Sequence, residues 1–239
     1  MKPKHLFLFL LAFFGVNSAA FSQARAFRDF IIAANSPTNP KTGPNVFAQL
    51  GGKDRFELAN WGKGWAISRG DELIKDGYSF NFDYEHNDLY VLKDDEGLTV
   101  VVEESSVKTF VLFNGLDSVR FVKSIFLDPK NKTFYQVVGG DPMLKTVLLK
   151  HRVAKMVPVN KNDYARNFNG DYTPDYQNSA TYFVVDEDKG VHSFKPLGKK
   201  DLLALYPEYQ DLIETYLPGN KKPDEPKLGM LFNELSRVQ

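Results

Sequence analysis

The sequence predicts an all-β fold of mostly antiparallel strands, arranged as a meander, sandwich or open barrel, with a small C-terminal helical appendage. Three observations point there. Tyr78, Phe80, Phe82 and Tyr84 alternate strictly with Ser79, Asn81 and Asp83, the period of a strand with one buried face. Short apolar runs then recur between clusters of turn residues, which argues hairpins rather than parallel crossovers. After Gly198 the period becomes helical, with Leu202, Leu205, Tyr206, Tyr209, Leu212, Ile213 and Tyr216 on one stripe.

The chain opens with Met1-Lys2-Pro3-Lys4-His5, a basic stretch without acid, followed by an unbroken apolar run from Leu6 to Phe14. That run matches the core of a secretory signal peptide and is too short for a stable transmembrane helix. Ala20-Phe21-Ser22 supplies small residues for cleavage before Gln23, so residues 1–22 are expected to be removed. Residues 24–34 fit a helix or a strand equally, and 35–45 read as a loop.

Beyond the alternating strand, His86-Asn87-Asp88 is a turn into Leu89–Leu92, and residues 93–97 turn into Leu98–Glu103. Val107–Phe113 ends at Asn114-Gly115, a strong hairpin signal. Residues 118–127 and 132–138 flank Asp128-Pro129-Lys130-Asn131. Residues 145–159 offer one long strand or two short ones. A polar connection is expected over 160–179, then a last hairpin around Asp186-Glu187-Asp188-Lys189-Gly190. Pro207 should kink or split the first helix, and Leu228, Leu231, Phe232 and Leu235 mark a terminal one. The expected organisation is a signal peptide at 1–22, a β domain at 23–197, and helices at 198–239 packed upon it.

Composition narrows the chemistry. With 30 basic and 30 acidic side chains, loss of a leader carrying two lysines leaves a slightly acidic protein with no electrostatic footprint for nucleic acid. No cysteine is present, which excludes thiol catalysis and thiolate-bound metals. His86, His151 and His192 have no close metal-ligand spacing, and His86 reads as a solvated turn residue. Ser68 in Ala66-Ile67-Ser68-Arg69-Gly70 falls one glycine short of a nucleophile elbow, and β-like segments surround it. Asp186 and Asp188 read as a solvated hairpin tip, because Lys189 stands where a calcium loop needs an oxygen. No cofactor, metal or catalytic residue is assigned.

The one unusual cluster is Asn60-Trp61-Gly62-Lys63-Gly64-Trp65, which holds both tryptophans. Exposed aromatic platforms bind glycans and proteins, so Trp61, Trp65 and Lys63 are the candidate ligand-binding residues. The competing expectation tucks both indoles into the core.

The signal peptide ending near Phe21-Ser22-Gln23 resembles that of uncharacterised exported proteins typical of the Bacteroidota. So do the Phe80-Asn81-Phe82-Asp83 to Leu89-Tyr90 hairpin, Phe134-Tyr135-Gln136-Val137-Val138, and Lys199-Lys200-Asp201-Leu202-Leu203-Ala204-Leu205-Tyr206-Pro207. The resemblance implies export and carries no activity or ligand. The expected function is a non-catalytic binding module of the cell envelope, periplasmic or extracellular. Its partner would be an envelope protein or a glycan, and it would not be an integral membrane protein after cleavage. A carrier of a lipid or other apolar ligand in a sheet-lined cavity is the alternative, and a secreted hydrolase the second alternative. A cavity would favour the carrier, and a cleft with converging acids or histidine the hydrolase.

Overall fold

A computed structural model describes residues 54–115, 117–143, 145–158, 168, 174–219 and 222–238. The expected signal peptide, the ambiguous 24–34 segment, the expected 35–45 loop and most of the expected 160–179 connection lie outside the described residues. Strands β1 (Gly64–Ser68) and β2 (Leu73–Ile74) come first, then β3 (Tyr78–Asp83), β4 (Asp88–Lys93) and β5 (Leu98–Val102). A run of sequential antiparallel neighbours follows: β6 (Val107–Asn114), β7 (Asp117–Lys123), β8 (Phe134–Gly140), β9 (Thr146–Val157), β10 (Asp175–Asp186) and β11 (Gly190–Phe194). Helices α1 (Lys199–Leu205), α2 (Gln210–Tyr216) and α3 (Glu225–Val238) close the chain, with a 3-10 turn at Pro207–Tyr209 separating α1 from α2. The fold is therefore mostly antiparallel β with a small C-terminal helical part, as the sequence predicts.

The strands form two open sheets. One has eight strands in the order β11-β10-β9-β8-β7-β6-β1-β2, and the other has three, β3-β4-β5. The chain lays down β1 and β2, leaves to build the small sheet, and re-enters beside β1 as β6. Every pairing is antiparallel.

Both the small sheet and the helices cover the same face of the large sheet, as alternation along β8 and β9 demonstrates. Phe134 packs with Phe82 and Phe110, whereas Gln136, two residues on, bonds Glu225 of α3. Along β9, Leu148 packs among the helices, Lys150 pairs with Glu225, Arg152 lies over Tyr84, and Ala154 joins the small-sheet core. Helix α3 approaches β8 so closely because two glycines meet. A Cβ on Gly229 would stand 2.5 Å from the Val138 carbonyl oxygen, and one on Gly139 would stand 2.4 Å from that of Gly229.

Three expectations need correction. All six residues of β3 are buried, polar ones included, because residues 55–62 run alongside. Asn81 accepts from Leu58 N–H and donates to Leu58 C=O, filling in for a strand that bulges away. The final hairpin is longer than expected. Residues 175–180 are strand, pairing with β9 from Val157 to Arg152 despite their polar composition. The tip at Asp186 is not solvated: its buried carboxylate accepts from Thr146 and Tyr206 hydroxyls at 2.7 and 2.8 Å and from the backbone N–H of Asp188 and Lys189. Burial opposes ionisation there, and those four donors outweigh it, holding the carboxyl below its usual range.

Candidate functional site

Among the described residues, neither the helices nor the small sheet covers the opposite face of the large sheet. Residues one step out of phase with the covered face meet there: Val122, Tyr135, Val147 and Leu149, all buried, with Val137, Phe183 and Val185 beside them. His151 continues the floor, its ring 5.5 Å from Tyr135. An open groove of about 1110 Å³ runs over the part of this floor formed by Val122, Val147, Leu149 and Val185.

Its walls come from turns. Between β7 and β8 the carboxylate of Asp128 accepts the backbone N–H groups of Thr133, Lys132 and Lys130 at 2.9, 2.8 and 3.0 Å, which holds it down at about 2. That knot presents Ile125 and Phe126 outward, 62% and 71% exposed. Across the groove stand Met143 at 86% and Val191 at 43%. Four exposed apolar side chains around one groove form a patch of the kind that marks a binding surface.

Charge around the groove is unbalanced. Five lining residues are cationic, Arg69, Lys108, Lys123, Lys130 and Lys145, against two acids, Asp186 and Glu187. Lys108 is paired with Asp71 at 2.7 Å. The Lys123 amine turns to the covered face, donating to the Glu104 carbonyl and lying 4.7 Å over Phe134, and burial lowers its pKa. Asp186 is committed to its four donors, while Glu187 is exposed and has no ion pair among the described residues. Arg69, Lys130 and Lys145 are exposed and have no acidic partner among the described residues. Sequence reasoning did not find these residues, because they come from separate strands and turns. The available signal was the consecutive apolar run Val147-Leu148-Leu149 followed by Val184-Val185, which marks strands apolar on both faces.

The sequence candidates fall elsewhere. Trp61 packs on Phe56, Tyr90 and Val101, on the outer side of the small sheet. Trp65 lies in β1 of the large sheet, opposite Val111, so the two indoles belong to different sheets. Lys63 is paired with Asp94 at 2.6 Å and reaches Ser79. The segment between the indoles stitches the sheets together, since Gly62 bridges Phe80 and Gly64 pairs with Leu112. Neither glycine has a positive φ. They are required for close approach: a Cβ on Gly64 would lie 2.2 Å from the Val111 carbonyl oxygen. Ser68 is buried, and its hydroxyl accepts the Glu72 N–H within a turn.

One cluster escaped the sequence entirely. Ligand atoms of Asp83, Glu85 and His86 lie within 4.8 Å of one another. The Arg55 guanidinium sits among them, bonding Asp83 through two nitrogens, Glu85 at 3.0 Å and Tyr176 at 3.2 Å. His86 Nδ1 stands 3.0 Å from both Arg55 and Asp83, so the ring, exposed in the turn that the sequence predicts, also hydrogen-bonds to this network. A cation already holds the centre, and a metal would have to displace it.

No helix among the described residues is long and apolar enough to cross a membrane. No protein-family model, curated protein or solved structure matches the chain.

Proposed function

We propose that the protein is an exported, non-catalytic binding module whose ligand is a long apolar molecule seated in the groove on the uncovered face of the large sheet. The observation that carries this reading is the apolar floor of Val122, Val147 and Leu149 beneath exposed Ile125, Phe126 and Met143. The groove is as large as the upper end of small-molecule sites, about 300–1,000 Å³. Each methylene withdrawn from water contributes about 0.8 kcal/mol, so ten would supply about 8 kcal/mol, the scale of a micromolar complex before ordering costs.

The rival readings have less support. A glycan or protein platform built from Trp61, Lys63 and Trp65 would need side chains that the two sheets hold apart. A hydrolase would need two free acids, or an acid and a histidine, converging on the groove; of its two acids Asp186 is fully engaged, which leaves Glu187 alone. The test is fluorescence titration with N-phenyl-1-naphthylamine, a neutral apolar probe. Wild-type protein should enhance its emission, and Phe126→Asp or Met143→Asp, both at exposed positions, should weaken binding at least about tenfold with the melting temperature unchanged. Absence of enhancement with the wild-type protein would end the reading.

A further inference from the structure

Resting on the proposed apolar groove, we infer that its ligand carries one negative charge, a carboxylate, and that a single residue outside the groove's lining, Arg120 of β7, binds it. Alternation fixes where Arg120 stands. Phe121 packs into the covered core against Phe82 and Phe110, so Arg120 and Val122 both belong to the opposite face. Register then sets the neighbours. One row across that face reads Trp65, Val111, Arg120, Val137, Leu149 and Phe183, and Arg120 is its one charged member. Leu149 and Val122 both lie in the groove floor. Arg120 stands beside that floor, about 7 Å along β7 from Val122.

Nothing among the described residues satisfies this arginine. Its side chain is half-buried, its Nε is shielded from solvent without a hydrogen-bond partner, and no acid pairs with it. A cation held this way among apolar neighbours costs free energy that a bound anion restores. The charges that line the groove form no such site. Arg69 and Lys130 belong to one end of the large sheet, next to Ser68 and Thr133. Lys145 belongs to the other end, where its carbonyl accepts the Glu187 N–H at 2.9 Å, so opposite charges are neighbours there. Three strand spacings and four residues separate Glu187 from Arg120 in this register, about 20 Å, well past the screening length of about 10 Å at 0.1 M salt. A neutral hydrocarbon would use the floor and leave Arg120 unsatisfied. A chain ending in a carboxylate uses both, because the guanidinium fork matches a carboxylate and balances its single charge.

The experiment pairs 11-(dansylamino)undecanoate with its methyl ester, titrated into the wild-type protein, Arg120→Gln, and Arg69→Gln/Lys130→Gln/Lys145→Gln. The wild type should bind the acid at least about tenfold more tightly than the ester. Arg120→Gln should bind the two within about twofold of each other, with ester affinity unchanged and the melting temperature no lower. The triple variant should keep the wild-type preference. Equal binding of acid and ester by the wild type would overturn the carboxylate inference and leave the apolar groove standing. A preference that survives in Arg120→Gln, or is lost in the triple variant, would overturn the assignment to Arg120. Binding of neither probe would overturn the groove and the inference together.

Discussion

The two faces of the eight-stranded sheet are built from the same strands and end in opposite ways. On the covered face, apolar residues such as Phe121 and Leu148 are sealed under the small sheet and the helices, and the polar residues between them are paired with one another. Lys150, Gln136 and Tyr182 all converge on Glu225 of α3. Arg152 stacks on Tyr84, and Glu57, its carboxyl pushed up by burial, accepts from the Tyr84 hydroxyl. On the uncovered face the floor is equally apolar, but its neighbours are exposed hydrophobics and unpaired cations. Hydrophobic patterning alone does not separate a core from a site. Completion of the polar contacts around it does: a core leaves few unmatched groups, whereas the groove leaves three cations and one acid, Glu187, without an ion pair among the described residues.

Adjacent residues of β9 give the sharpest way to break this comparison. Leu148 and Leu149 are both essentially inaccessible, at 0% and 1%, yet they face opposite ways. Leu148→Ala should cost about 3 kcal/mol or more, because it leaves an enclosed void between sheet and helices. Leu149→Ala should cost only about 1–2 kcal/mol, since it widens a groove that already opens to solvent. It should also change probe affinity, which Leu148→Ala should not beyond its effect on folding. Urea denaturation of the two variants, with equal losses of stability, would show both faces to be core.

The same comparison explains what could be read in advance. Turns are local, so Asn114-Gly115 and the Asp186–Gly190 tip were legible from residue type, as was the division of the helix at Pro207. Alternation in β3 identified the apolar face correctly but said nothing of what lies over the polar one. There Asn81 and Asp83 satisfy the backbone of Leu58 and the guanidinium of Arg55, 23 and 28 residues away in sequence. Residues 175–180 looked like a connection because Asp, Gln, Asn and Ser favour turns. Their strand character comes from pairing with β9, a tertiary cause. The groove was invisible for a related reason: Val122, Val147 and Val185 belong to three strands, and no single stretch contains the site. The indole cluster misled because glycines between two tryptophans suggest a bend, whereas here they permit two sheets to approach.

Helix α3 closes the covered face only through its paired glycines, a device with no counterpart along the groove. Gly229→Ala improves helix propensity by about 1 kcal/mol in isolation. Its Cβ, however, would meet the Val138 carbonyl oxygen at 2.5 Å, and backbone cannot rotate away as a side chain can. The net expectation is a loss of about 1–3 kcal/mol, in the range of overpacked cores, measured by thermal or urea denaturation. A stabilised variant would mean that α3 rides more loosely on β8 than this geometry requires.

The smallest effect concerns pH, and it too should arise on the covered side alone. Asp88 opens β4 in the small sheet, opposite Asp83. Burial, then the neighbouring Asp83 charge, pushes its pKa up from 3.8 to about 6. A carboxyl whose folded-state value is raised binds its proton more tightly in the native than in the unfolded chain. Its contribution to stability is therefore fully present below about pH 4 and is lost as pH rises through about 6. The loss should be about 1–2 kcal/mol, less than the full shift implies because Asp88 keeps some contact with solvent. Asp88→Asn removes the titration while keeping the shape, so the variant should gain on the wild type between about pH 4 and pH 7. Phe126→Asp, on the uncovered side, should leave that difference in place when combined with it. Urea midpoints for wild type and Asp88→Asn that stay parallel across this range would show that Asp88 ionises freely, and that the small sheet buries no uncompensated charge.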